Sequence, residues 1–398
     1  MQSTDVIVVG GGIAGLSCAA LLARGGQRVV VLERGAAVGG LARTATHKGF
    51  SFNRGAHALY RGGAAQSVLA SLEISLPGGS PALDGVAYWG GGRHRLPSSP
   101  WPLLTTGLLS VRGRWALGTL FASVRTLEAG EESAAQWAHR RMPDAPSRAF
   151  LSAMLRLSTY CGDLEGVRAA DAVAALRQAT VHGVRYLDGG WQRLVGALEA
   201  ACARLCVEVR TRAPVEDVQP RGVTLRSGEA IEARHVVLAV PPSLAARWAD
   251  VPSLNTAAVA CLDVALRERP AGPGLAFDLD DPMYLSVHSD TATLGPGAMV
   301  HTLHYGAVED ARARLEGLLD RALPGWREQV VHTQFLPRIV VTEGIVPPGP
   351  HGRPGVRAGG LWRVGDAVGS HGGLADAAFG SAQEVAHAIL AAAEPRAA

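Results

Sequence analysis

Val6-Ile7-Val8-Val9-Gly10-Gly11-Gly12-Ile13-Ala14-Gly15 is the stretch that decides the fold. A short β-branched run enters a glycine turn, and a helical pattern follows from about Ile13 to Arg24, stopped by Gly25-Gly26. Val29-Val30-Val31-Leu32 is a second apolar run. Unbroken runs of this kind suit parallel strands buried on both faces. Strand, glycine turn, helix and strand in that order form the unit that holds a dinucleotide. Gly10 permits the tight turn, Gly12 lets the backbone approach a pyrophosphate, and Gly15 lets the helix pack on the strand. The free N–H groups and positive end of that helix then face the phosphates. Glu33 closes the second strand, where a carboxylate accepts hydrogen bonds from ribose hydroxyls and disfavours a 2′-phosphate. The turn alone allows NAD or FAD.

Working outward, residues 61 to about 180 read as mainly helical, with loops such as Leu76-Pro77-Gly78-Gly79. Between Trp101 and Leu127, Leu, Trp, Phe and Val mix with Arg112, Arg114 and Arg125. Such a segment suits peripheral contact with a membrane surface, but a core-packed helical hairpin is the favoured reading. The α/β character returns with a helix from Gly189-Gly190-Trp191-Gln192 to about Leu205 and strands at Val207–Val209 and Val215–Val218. A hairpin around Ser227-Gly228 and the buried strand His235–Val240, ended by Pro241-Pro242, follow. From about 250 to 345 the pattern is strand-rich around a helix at Val308–Leu323. The chain closes with a strand, a Gly-Asp turn, a glycine loop and an alanine-rich helix.

The net charge of +3 over 398 residues gives no argument for nucleic acid as a partner. Five scattered cysteines, and first residues without a basic-then-apolar leader, point to the reducing cytoplasm. No apolar run reaches the length of a transmembrane helix. Cys202 and Cys206, four apart in a helical pattern, read as packed core thiols rather than a metal pair. His301 and His304, three apart on a strand, face opposite sides and make poor metal ligands. No metal site is expected.

Three further segments carry a resemblance. Arg34 and then Gly39-Gly40-Leu41-Ala42-Arg43-Thr44 follow Glu33. Leu361-Trp362-Arg363-Val364-Gly365-Asp366-Ala367 and Gly372-Gly373-Leu374-Ala375-Asp376-Ala377-Ala378 stand near the C-terminus. Together with the first turn, this pattern resembles the FAD-dependent amine oxidase, phytoene desaturase and protoporphyrinogen oxidase superfamily. The resemblance implies FAD over NAD. It implies that Gly40 and its neighbours pass the diphosphate and that Arg43 balances its charge. It also implies that Asp366 contacts the ribityl–pyrophosphate region, and that Gly373, Leu374 and Ala377 open a helix aimed at the flavin. Val215 matches the position whose backbone contacts adenine, and Ala239 matches the strand end that returns to the substrate domain. Two departures stand out. Gly380-Ser381 reverses the family's Ser-Gly, and Asp376 is unexpected there except as a helix cap. The implied fold class is α/β. A Rossmann-like FAD-binding domain is assembled from residues 1–60, 186–247 and 355–398, with an inserted α+β substrate domain from 61–185 and 248–354.

Gly49 to Tyr60 matches the family's element near the isoalloxazine, placing Gly55, Ala56 and His57 at the site. His57 is the catalytic candidate, as a proton acceptor or a hydrogen-bond partner; a structural histidine is the competing reading. Tyr160 and His288 are weaker candidates in the inserted regions, and Trp191 and Trp362 read as core. The single lysine, Lys48, lies outside the region where amine oxidases of the superfamily place theirs. That favours a desaturase or dehydrogenase taking a hydride from a C–C or C–N bond of a small apolar organic molecule, with oxygen, a quinone or a carrier as reoxidant. An amine or amino-acid oxidase making hydrogen peroxide, a redox-neutral flavin isomerase, and a non-catalytic nucleotide-binding protein are the rivals.

Overall fold

The computed structural model describes residues 4–393 apart from Ala56, Ser253, Ala307 and His371. Its first layer is a six-stranded sheet in the order Glu208–Arg210, Val29–Leu32, Val6–Val9, His235–Leu238, Leu361–Arg363, Arg357–Ala358. The first five strands run parallel, with Val6 opposite both Val29 and His235. Alternation along Val6–Val9 explains the unbroken apolar run. Val6 and Val8 pack under the helices Ile13–Arg24 and Leu374–Ala393. Ile7 and Val9 face the three-stranded antiparallel sheet of Val215–Gln219, Gly222–Leu225 and Ala230–Glu232. Both faces are covered, so no strand position tolerates a polar side chain.

A second, seven-stranded sheet has the order Val330–Ile345, Asn255–Leu266, Ala298–Tyr305, Met283–Val287, Leu275–Asp278, Val86–Trp89, Gly92–Arg95. The helix Ala311–Ala322 covers one face through Leu315, Leu318 and Leu319. Helices Ala134–Arg141, Ala145–Thr159 and Ala169–His182 cover the other. The Ser133 and Gln136 capping box starts the first of these three helices.

The structure adds to one expectation and corrects three. Residues 61–180 are mainly helical, as expected, but not wholly so. Val86–Trp89 and Gly92–Arg95 form a hairpin that extends the second sheet, turning through Gly90 and Gly91 at φ 57 and 75°. Cys206 is exposed, so only Cys202 is a core thiol, donating to the Leu16 carbonyl. The helices Pro100–Thr105 and Val111–Ala122 pack through Leu108, Leu117 and Leu120, but their outer face is apolar as well. Trp101 is 69% exposed there, Val111 80% and Trp115 75%. Asp376, finally, does not cap its own helix. Its Oδ1 accepts the Ala65 N–H at 2.8 Å, capping the separate helix Ala64–Ser71.

Candidate active site

The two glycine turns meet. Gly39 N donates to the Gly11 carbonyl at 2.7 Å, and Gly12 and Gly39 form a parallel bridge. The Glu33 carboxylate fixes this junction by accepting the Gly11 N–H at 2.9 Å and the Gly35 N–H at 2.7 Å. Each oxygen keeps a second lone pair for a ribose hydroxyl. Arg212 and Ala213 bond back to Gly35 and Glu33, which brings the chain leading to Val215 against the same edge. Ala239 N donates to the Val9 carbonyl beside Gly10. Ile13 and Ala14 open the helix into the core, Ala42 is buried, and Arg34, Gly40, Leu41 and Arg43 are exposed at the rim.

From the other end of the chain, Gly365 N donates to the Ser381 hydroxyl at 2.9 Å, and that hydroxyl donates to the Gly365 carbonyl. The reversed Gly380-Ser381 pair therefore clamps the Gly365-Asp366 turn. Burial raises the Asp366 carboxyl above its ordinary value, opposed by a hydrogen bond from Thr342. Leu374 begins the last helix and Ala377 is buried in its first turn. Ala56 lies outside the described residues.

Whether these residues fit FAD is tested by what a side chain would meet. A Cβ built at Gly12, Gly365 or Gly373 finds nothing within 4 Å, and one at Gly40 finds only the Gly12 Cα at 3.5 Å. Four glycines from both ends of the chain thus border open space that the protein's own atoms leave unfilled. The residues fit the diphosphate-and-ribityl portion of a dinucleotide.

Sequence reasoning missed Arg353. Its side chain is 12% exposed, it donates to the Gly372 carbonyl, and it stands 3.9 Å from Asp171 and faces Asp366. It comes from a Pro/Gly-rich loop with no periodic signal. A cleft of about 960 Å³ between the helices Ala64–Ser71, Ala169–His182 and Leu374–Ala393 reaches Arg353, Gly372 and Asp376.

His57 joins the glycine motif to the second sheet. One ring nitrogen is 2.7 Å from the Gly55 carbonyl. Trp191 lies against it at 4.7 Å between centroids, so Trp191 is both core and site wall. Burial pushes the His57 imidazole down to about 4, leaving it neutral at neutral pH. Trp362 remains core.

Behind His57 lies a buried aromatic cluster. Of the six tyrosines in the chain, Tyr60, Tyr160, Tyr186, Tyr284 and Tyr305 are neighbours, and burial holds each phenol above its ordinary value. His288 packs against Tyr186 at 4.1 Å and against His301 at 5.2 Å. His304 points to the opposite face, onto Asp281 at 3.0 Å. No set of three or more metal-ligating side chains occurs among the described residues. Four buried polar atoms here find no hydrogen-bond partner among the described residues: Trp191 Nε1, His288 Nε2, His301 Nε2 and Tyr305 OH. Buried polar groups are almost always paired, so this concentration of unpaired atoms sets the cluster apart from an ordinary core.

Comparison with known proteins agrees with the geometry. The profile of the family described as Flavin containing amine oxidoreductase matches residues 13–264. The Mycobacterium tuberculosis protein named flavin-containing monoamine oxidase AofH is 30% identical over 267 residues, which cover 61% of this chain and 58% of that protein. An oxidoreductase from Methanosarcina mazei superposes with a TM-score of 0.78 at 18% identity, covering 96% of this chain and all of the other. Cyclohexylamine oxidase from Brevibacterium oxydans does so at 0.76 and 17%, covering 99% of this chain and 100% of the other.

Proposed function

This chain belongs to the flavin-containing amine oxidoreductases, and from that premise we propose that it is an FAD-dependent oxidoreductase that takes a hydride from a C–C or C–N bond of a small apolar organic molecule, leaving a double bond. The observation that carries the reading is the buried cluster beyond His57, rich in aromatic faces and holding four polar atoms without partners among the described residues. FAD, when bound, supplies the hydride acceptor. The chain's own residues would do the rest. Gly12, Gly40 and Gly365 leave room for the diphosphate, Glu33 takes the ribose, and Arg43 and Arg353 offset negative charge. The tyrosines wall the substrate away from water.

Amine oxidation is the second reading, favoured by relatives and neighbours named as amine oxidases. Anaerobic mixing with a panel of amines and of partly saturated hydrocarbons separates the two. The proposal expects loss of the visible flavin absorption with at least one hydrocarbon. Bleaching by amines alone, with peroxide formed in air, would replace it with the second reading.

Cytoplasmic placement and a lipid partner belong to the same proposal. No helix among the described residues is long and apolar enough to cross a membrane. The unbridged Cys18, Cys161, Cys202 and Cys206 suit a reducing compartment. The hairpin face of Trp101, Leu104, Val111 and Trp115, with exposed Arg112 beside it, suits an anionic lipid surface. Replacing Trp101 and Trp115 by Ser should leave the unfolding midpoint unchanged and weaken co-sedimentation with phosphatidylserine vesicles. Unchanged co-sedimentation would remove the lipid partner.

A further inference from the structure

A row of polar side chains crosses the second sheet. Gln334, Asp263, His301 and Ser286 occupy facing register positions on four neighbouring strands. Asp263 and His301 are 4% and 3% exposed. The His301 Nδ1 is hydrogen-bonded to Asp263 Oδ1, while Asp263 Oδ2 accepts from Gln334 Nε2 at 3.1 Å. The same amide nitrogen donates to the Asn53 carbonyl at 2.7 Å. Asn53 in turn accepts from Thr44 and from the Trp191 backbone, so the row is tied to the strand that leaves the second glycine turn.

A carboxylate only accepts. Contact with Asp263 at Nδ1 therefore selects the Nδ1–H tautomer, in which Nε2 keeps its lone pair. That Nε2 is buried and has no partner among the described residues. The His301 ring lies 5.8 Å from that of Tyr284 and 5.2 Å from that of His288 between centroids, within electrostatic reach of His57, and carries Asp263 on its Nδ1 side.

Making a C=C or a C=N bond removes a proton as well as a hydride. The two leave adjacent atoms, and the proton needs an acceptor inside a water-poor site. The tyrosines are held protonated by burial, and His57 is bonded to the Gly55 carbonyl and held toward its neutral form by burial. His288 is driven toward its neutral form by burial and has no carboxylate behind it. Only His301 is backed by a buried carboxylate that stabilises the imidazolium it would become.

Resting on the function proposed above, we propose that His301 Nε2 accepts the substrate proton and that Asp263 positions and charges it. The X–H bond next to the hydride-losing carbon breaks, where X is carbon or nitrogen. Its electron pair forms the new π bond as the hydride leaves for the flavin oxidant, and its proton lands on Nε2. Gln334 is a positioning residue for Asp263.

The test has two arms. The first is 15N NMR of the histidine rings in the protein without FAD. A neutral His301 protonated at Nδ1, with an unprotonated Nε2, is expected; an Nε2–H tautomer overturns the proposal. The second uses the FAD-loaded protein with cyclohexylamine as probe, followed by anaerobic flavin bleaching. Asp263→Asn puts an amide donor against Nδ1 and moves the ring proton to Nε2. It should keep FAD content and slow bleaching by about 10²–10⁴-fold. His301→Ala should slow it similarly and recover in proportion to added imidazole, which a structural pair would not do. Native rates with an unchanged pH profile in both variants overturn the proposal. If the wild type is not bleached by the probe, the tautomer arm alone decides for His301.

Discussion

Gly12→Val is expected to give a folded protein with less than a tenth of the native FAD content. The backbone at Gly12 is extended, with φ −75° and ψ 177°, where any residue is comfortable. A Cβ there meets nothing within 4 Å. Neither conformation nor packing asks for glycine, so what asks for it is a ligand approaching the first turn of Ile13–Arg24. Unfolding of the cofactor-free variant should stay within about 0.5 kcal/mol of the cofactor-free wild type. Flavin absorbance per chain and a thermal melt check both halves. Normal flavin content would move the diphosphate away from this turn.

Gly10→Ala should behave in the opposite way. Its φ is +110°, a region that side-chain-bearing residues rarely enter, and its Cβ would lie 2.3 Å from the Ala239 carbonyl oxygen. That oxygen belongs to the end of the His235–Leu238 strand, so relief requires shifting two central strands of the first sheet. The expected loss is at least about 3 kcal/mol, the strain of a forbidden backbone region plus a backbone clash. It is read as a lower denaturant midpoint or as insoluble protein. A midpoint equal to wild type would mean that the turn is looser than described. The glycine motif thus divides: packing requires Gly10 and Gly15, Gly15 because its Cβ would lie 2.1 Å from the Gly10 carbonyl oxygen, while Gly12 is left for the proposed ligand.

What could be read from the residues in advance follows from where the physics is local. Val6–Val9, Ile13–Arg24 and Val29–Leu32 announce themselves because both faces of the strands are covered and the helix has one stop signal. The candidate cofactor segments stand out for the same reason, each being a short glycine turn at a strand end. The pairing of Asp263 with His301 spans 38 positions and depends on the register of two strands. Its one signal was a lone acid inside the apolar run Asn255–Leu266, the kind of residue that needs a buried partner. The hairpin at 86–95 carried its own mark in Gly90-Gly91, masked by the helical pattern around it. The tyrosine cluster had no local signature, since its members come from five separated segments that meet only when both sheets are assembled.

The central claim is that the three chain segments around Gly12, Gly40 and Gly365 hold a single non-covalent FAD. Titration of cofactor-free protein with FAD, followed by visible absorption and thermal unfolding, tests it most directly. The account predicts saturation at one FAD per chain, flavin that is released on denaturation, and stabilisation of about 2.7 kcal/mol when free FAD reaches a hundred times its Kd, with no comparable gain from NAD. Protein that stays colourless in excess FAD, or that is stabilised by NAD instead, would contradict it.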